Sequence, residues 1–207
     1  MSKLASQFGK SDYEILSRQN GFRGFLSIDE IKVKHKLFRG GWSSPITREL
    51  MVREGAVGVL LFDPHRDKII LVRQFRVGLL DKATTPWALE LVAGMIEAGE
   101  ELEEVAVREV KEESNCDISQ LIKICDYYNS PGVSSEKVRL YLGIVASKNV
   151  GGIYGLESEN EDIEVVVLSY NDAVNGLKRG YLANAMTIIA LQWLELNKSD
   201  ILQKILV

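Results

Sequence analysis

The sequence predicts an α+β fold, an α/β/α sandwich around a mixed sheet with a small antiparallel sheet ahead of it. Three observations carry that prediction. The first fifty or so residues contain segments that alternate apolar and polar side chains. The middle of the chain holds apolar runs too short for helices and bounded by turn residues. Three helical stretches are interspersed among these strands.

The elements follow in order. From Ile31 to Arg53, IKVKHKLF alternates, GGWSSP turns and ITRELMVR resumes the alternation, which predicts an N-terminal hairpin or small sheet. GAVGVLLF (55–62) then meets KIILVRQF across Asp63, Pro64 and Asp67, a buried hairpin, and we place the start of the main domain at Gly55. Domains of 1–54 and 55–207 result. ALELVAG (88–94) reads as one short strand, residues 101–114 as a helix, and LIKICDYY (121–128) and KVRLYLGIVA (137–146) as strands. A loop rich in Gly, Ser, Asn and Glu spans Ser147 to Asp162, a length that often serves function, and IEVVVL is the last strand. Ser169 with Asp172 resembles a capping box ahead of a helix that Gly180 stops, and 183–198 is a final amphipathic helix.

Composition narrows the function classes. A net charge of −4 supplies no basic field for a polyanion, so nucleic-acid binding by charge is not expected. Cys116 and Cys125 are too few for a disulfide framework or a zinc cage, and His35 and His65 add no ligand cluster. The amino-terminal residues lack the apolar stretch of a secretory signal and no later run has the length of a membrane helix, which makes the cytoplasm the expected compartment and no membrane partner.

The chemistry concentrates in GMIEAGEELEEVAVREVKEESNC, residues 94–116. A solvated acidic helix would scatter its carboxylates outward. Here, at about 100° per residue, Leu102, Val105, Ala106, Glu109 and Glu113 share one side while Glu103, Glu104, Val107 and Lys111 share the other. Glu109 and Glu113 thus continue the core-facing stripe, where an uncompensated carboxylate is costly. A bound cation is the simplest compensation. With Glu112 beside them, three oxygen donors can serve a hard divalent ion such as Mg²⁺.

Gly94, Glu100 and the run Arg108-Glu109-Val110-Lys111-Glu112-Glu113, followed by Cys116, resemble the Nudix box of pyrophosphohydrolases. One position departs: the family's glycine after the helix is Asn115, the side chain best able to replace glycine in a left-handed conformation. The resemblance implies Glu109, Glu112 and Glu113 as metal ligands with the carbonyl of Ala93, and Arg108 as the residue orienting the carboxylates. It implies two or three Mg²⁺ ions, with Mn²⁺ as a substitute.

Outside the box, FRGFLSID (22–29), TPWALELVAGMIEAGE (85–100), YNSPGVSSE (128–136) and GLESENEDIEV (155–165) resemble the bacterial ADP-ribose pyrophosphatase subfamily, and Pro131 stands where that subfamily has its marker proline. That likeness implies Glu159 as general base and Glu161 as a further metal ligand. It implies Phe25 as a ring stacking on adenine, and Arg48, Glu49, Arg53, Arg76, Met95, Ser130, Pro131, Gly132 and Glu136 as substrate contacts. It also implies a homodimer that exchanges its N-terminal sheets. The expected reaction is hydrolysis of ADP-ribose to AMP and ribose 5-phosphate. A GDP-mannose or other nucleotide-sugar pyrophosphatase is the nearest alternative, and a non-catalytic ADP-ribose sensor is the alternative from another class. A Ca²⁺-binding protein is disfavoured by the absence of EF-hand ligand spacing.

Overall fold

The computed structural model describes residues 4–81, 83–97 and 99–205. The chain falls into two compact units: Met1–Glu54 with Tyr128–Glu136, and Gly55–Tyr127 with Lys137–Val207. Residues 128–136, which the sequence alone places in the second domain, therefore cluster with the first unit.

In the first unit β1 (Tyr13–Arg23), β2 (Ser27–His35) and β3 (Ile46–Val52) form an antiparallel sheet in that order. β2 and β3 fall on the alternating segments. β1 lies outside the alternating segments, and its pairing with β2 explains why. Register shifts between Ile15 and Ser17 and between Asn20 and Phe22 break the two-residue period, because each bulge inserts a residue and flips the side chains that follow. Arg18 Nε donates to Asp29 Oδ2 at 2.5 Å across the pair, and this bond chiefly holds the Asp29 carboxyl below its ordinary range. β2 also stops sooner than IKVKHKLF implies, with Lys36 bridging to Trp42 over the turn at Gly40 and Gly41.

The second unit is an eight-stranded mixed sheet between helices. Its path runs β10 (Gly152–Tyr154), β11 (Ile163–Ser169), β5 (Lys68–Phe75), β4 (Ala56–Asp63), β9 (Lys137–Ile144), β8 (Gln120–Tyr128). The β4–β9 pair is parallel and β4–β5 is antiparallel. β4 is buried at every position, as a strand covered on both faces must be. Its alternation sorts two cores. Val57, Val59 and Leu61 pack with Ile70, Val72 and with Val105, Ala106 and Val110 of α1 (Leu102–Ser114). Leu60 and Phe62 pack with Ile69, Leu71 and residues of α2 (Tyr170–Lys178) and α3 (Ala185–Ile205) on the opposite face. The α/β/α layering follows from that two-residue period alone.

The stretch 88–94 is two strands rather than one. β6 (Trp87–Glu90) pairs with β5, and β7 (Val92–Met95) pairs with β4. β4 and β5 pair only over Leu61–Asp63 with Lys68–Ile70 and then diverge, so the chain crosses between them at Leu91. The Leu91 N–H, which neither ladder takes, donates to Thr187 Oγ1 of α3 at 3.0 Å. Within the loop expected from 147 to 162 lie the short β10 and a 3₁₀ turn at Glu157–Glu159. α3 runs past 198 because Leu194 and Ile201, one heptad apart, both remain in the core.

Helix ends obey local chemistry. The amide of Asp172 donates to Ser169 Oγ at 3.0 Å, α1 ends on Asn115 at φ 52°, and Gly180 follows α2 at φ 76°. The β4–β5 turn is tied by Asp63, 1% exposed. Its Oδ1 accepts from the amides of His65 and Arg66, and its Oδ2 from the amide and hydroxyl of Ser147, both at 2.7 Å. Burial pushes this carboxyl up, but the bonds from Ser147, Arg66 and His65 outweigh it and the pKa lies below its ordinary value. A depressed carboxylate stabilises the fold above its unfolded pKa, and that stabilisation is lost as pH falls through the folded value. Asp63→Ala strands four donors, two of them on buried Ser147, and should cost about 2–3 kcal/mol. Thermal melts between pH 3 and 7 should show a difference between wild type and variant that is full at neutral pH and shrinks below about pH 4.

Candidate active site

The site grows from the inward stripe of α1. Val105, Ala106 and Val110 enter the core, and the same stripe then presents Glu109 and Glu113. Glu113 is 3% exposed. Its Oε2 accepts from the Ala93 amide of β7 at 3.2 Å, and the Nε2 of buried Gln74 on β5 lies 3.5 Å from its Oε1. Burial pushes Glu113 up to about 8; the Ala93 amide and Arg76 pull the other way, while the charges of Glu109 and Glu161 push further up. Glu109 is likewise raised, first by burial, then by Glu112 and Glu161 against the pull of Arg108. These effects put Glu109, Glu161 and Arg76 within electrostatic reach of Glu113.

Arg108 holds the rim together. Its Nη1 donates to Glu109 Oε1 at 2.8 Å and to Glu112 Oε2 at 3.3 Å, and its Nη2 to Glu100 Oε1 at 3.4 Å. Glu100 in turn accepts the Glu97 amide on its other oxygen at 2.8 Å, so one carboxylate fixes both the loop before α1 and the arginine. Burial alone would lower the guanidinium's pKa, and the three carboxylates raise it instead.

The loop ahead of β11 docks against the end of α1 through the Gly155 amide, which reaches the Glu112 carbonyl at 3.4 Å. Gly155 sits at φ 107°, and a Cβ there would meet Glu161 Cβ at 2.6 Å, so glycine is required both by conformation and by space. Glu161 Oε2 accepts the Leu156 amide at 3.0 Å. Glu159 is exposed on the 3₁₀ turn, and no side-chain bond ties it to the other carboxylates among the described contacts.

Among the described residues, no three acidic, histidine or cysteine side chains converge closely enough to enclose an ion. Glu109 and Glu112 turn to Arg108, and Glu113 to the Ala93 amide. The residues nonetheless suit a hard cation. All the donors are oxygens, and Glu113 is a buried carboxylate that no bonded cation neutralises among the described contacts. Gly94 leaves the space that Glu109 occupies, since a Cβ on it would collide with the Glu109 carboxyl group.

The NUDIX domain family matches residues 52–189. This chain belongs to the Nudix family. Over 194 residues, 94% of this chain and 93% of the relative, it is 43% identical to the ADP-ribose pyrophosphatase of Escherichia coli strain K12. Over 206 residues, 98% and 94% of the two chains, it is 41% identical to the ADP-ribose pyrophosphatase of Haemophilus influenzae. A solved crystal structure of an ADP compounds hydrolase superposes with a TM-score of 0.70 at 21% identity, covering 91% of this chain and 96% of that one, which shows the Nudix fold. Nudix hydrolases as a family work with a divalent metal ion.

The remaining sequence-derived residues divide between the units. Arg76 and Met95 belong to the Nudix sheet, at the ends of β5 and β7. Phe25, Arg48, Glu49, Arg53, Ser130, Pro131, Gly132 and Glu136 belong to the first unit. There Phe25 is 86% exposed in the β1–β2 turn, with the Arg53 guanidinium 5.8 Å from its ring centre. Arg53 Nε is 3.6 Å from Glu136, and the Arg53 amide donates to Ser135 Oγ at 2.9 Å. Ser130 starts a turn through Pro131 and Gly132 whose carbonyl accepts the Val133 and Ser134 amides. Arg48 and Glu49 are exposed neighbours on β3 opposite Ile31 and Glu30. Sequence reading missed Gln74, a polar residue on the inward phase of an apolar strand, and Glu90, whose burial that stretch does not announce. No helix of the described residues is long and apolar enough to cross a membrane.

Gly94→Ala supplies a direct check on this geometry. The colliding atoms belong to a side chain that can swing away, so the melting temperature should change by no more than a few degrees. Displacing Glu109 should weaken divalent-ion affinity by tenfold or more, a loss of about 1.4 kcal/mol, measurable by titration calorimetry with Mn²⁺.

Proposed function

We propose that this chain hydrolyses the diphosphate of ADP-ribose to AMP and ribose 5-phosphate. The observation that carries this reading is the set of inward carboxylates on α1, built around buried Glu113, in a chain more than 40% identical along nearly its whole length to two ADP-ribose pyrophosphatases.

Glu109, Glu112, Glu113, Glu161 and the Ala93 carbonyl would hold two or three Mg²⁺ ions, or Mn²⁺ in their place. When bound, these ions supply charge neutralisation for the diphosphate and acidity for the attacking water. Arg108 keeps Glu109 and Glu112 in register by its bifurcated contact and takes no part in proton transfer. Glu159 accepts the proton of water as its oxygen forms a bond to one phosphorus, and the bridging oxygen departs with the other phosphate. Arg76 neutralises phosphate charge from the end of β5, and Met95 contributes from the end of β7. Phe25 offers an exposed ring for adenine, and Arg48, Glu49, Arg53, Ser130, Pro131, Gly132 and Glu136 serve the rest of the substrate. A homodimer with exchanged N-terminal sheets is part of this reading. The exposure of β1 along its whole length, with Ile15, Leu16 and Phe22 among its side chains, supports it.

A panel of ADP-ribose, GDP-mannose and ADP-glucose, assayed by phosphate release after phosphatase coupling with Mg²⁺ or EDTA, tests the assignment. Turnover should depend on Mg²⁺ and favour ADP-ribose; a preference for GDP-mannose would move the substrate and keep the chemistry. Glu113→Gln should lower kcat by roughly 10²-fold or more and leave the melting temperature intact, because Gln matches the size of the neutral acid that burial favours. Glu159→Gln should lower kcat about 10²- to 10⁴-fold with KM unchanged. Near-normal turnover in the Glu159 variant would remove it as the base.

A further inference from the structure

Beyond the carboxylate cluster, a second buried acid of the Nudix sheet is Glu90, the last residue of β6. It is 7% exposed. Its Oε1 accepts from Arg76 Nε at 2.5 Å, and its Oε2 accepts from Asn184 Nδ2 at 2.6 Å. Asn184 is bonded at both ends of its side-chain amide. Its Oδ1 accepts the Thr187 amide at 2.8 Å and its carbonyl accepts the Ile188 amide, which makes it the N-cap of α3. The orientation of its amide is unambiguous, because only the nitrogen can donate to a carboxylate and only the oxygen can accept from an amide N–H. Thr187 from the same turn holds the Leu91 amide, the next residue after Glu90. The first turn of α3 therefore grips the β6–β7 crossing at two successive residues.

Arg76 is the exposed end of this chain of bonds, its side chain 44% accessible against 9% for Glu90. A half-exposed arginine ordinarily samples many rotamers, and the ordering cost falls on whatever ligand it binds. Here Nε is already engaged by a buried carboxylate. That fixes the guanidinium plane and leaves the terminal amino groups to a second anion. Arg76 also lies within electrostatic reach of Glu113.

We propose that Glu90, anchored by Asn184, is a positioning residue that aims Arg76 at a phosphate of the substrate, so that the N-cap of α3 helps set substrate affinity. This rests on the reading of Arg76 as a phosphate contact. The mechanism is purely geometric, with no proton or electron transferred. Removing the anchor should raise KM and alter kcat little, because the interaction is made with bound substrate and transition state alike.

The test is a double-mutant cycle in the full chain, with the initial rate of ADP-ribose hydrolysis at saturating Mg²⁺ as readout. Glu90→Gln should raise KM about tenfold, the scale of one charge-assisted hydrogen bond, and change kcat less than threefold. In an Arg76→Ala background the same substitution should do nothing further. Asn184→Asp is the second route. Aspartate keeps the cap on α3 but offers Glu90 no donor and a like charge, so KM should rise as in Glu90→Gln. Ser169→Ala, which uncaps α2 instead, controls for lost stability and should leave KM unchanged. A wild-type KM in Glu90→Gln, or effects of Glu90→Gln and Arg76→Ala that multiply, overturns the positioning role. Arg76→Ala with a wild-type KM identifies a different failure, that of Arg76 as a phosphate contact, and the proposal goes with it.

Discussion

Burying carboxylates on the apolar stripe of a helix is the constraint around which the Nudix unit is organised. An isolated carboxylate in that position would be neutralised or expelled, and each neighbour of α1 answers the problem in part. The β7 amide of Ala93 and the amide of Gln74 face Glu113. Arg108 spans Glu100, Glu109 and Glu112. Gly94 withholds a side chain where Glu109 needs room. What these neighbours leave uncompensated is the charge of Glu113, and burial accordingly pushes its pKa up. A divalent cation would supply that balance, and Glu109 and Glu113, both proposed to hold it, are the carboxylates that continue the core-facing stripe of α1.

The sheet is shaped to make those neighbours available. Were β4 and β5 paired along their full length, β7 could not lie beside β4. They pair over only three residues, then separate, and the chain from Trp87 to Met95 fills the gap by changing partners at Leu91. The crossing puts the Ala93 amide and Gly94 against α1 on one side, and Glu90 against Arg76 and α3 on the other. A straight strand over 88–94 would have given one of these and not both. The cost is an unpaired amide at Leu91, met by Thr187.

How much of this was legible follows from the range of each interaction. The helix 102–114, its inward glutamates and the left-handed role of Asn115 are local, set by phase and by one residue's tolerance of positive φ, and the sequence carries them in full. β1 was hidden because two bulges in its pairing scramble the alternation that marks a strand. The break at Leu91 and the burial of Glu90 depend on residues 96 and 94 positions later. No periodicity in ALELVAG encodes a threonine and an asparagine at the start of α3. The same holds for residues 128–136, whose bonds to Met51 and Arg53 decide where they cluster.

The acidic loop before β11 shows how position and freedom are divided within the site. Its two ends are held: Gly155 against the Glu112 carbonyl, made possible by a conformation only glycine adopts readily, and β11 against β5. Glu161 is fixed by the Leu156 amide and shares the electrostatics of Glu109 and Glu113. Glu159, two residues earlier, stands exposed on a single turn closed by Asn160 at φ 55°. The metal ligand proposed at Glu161 gains from being fixed, because a small displacement changes the field at every carboxylate. The base proposed at Glu159 has to meet water, and an exposed carboxylate on a tethered turn is open to it. The loop thus fixes one carboxylate by a backbone bond and leaves another exposed two residues away, and the conformation of Gly155 is what lets the loop lie against α1.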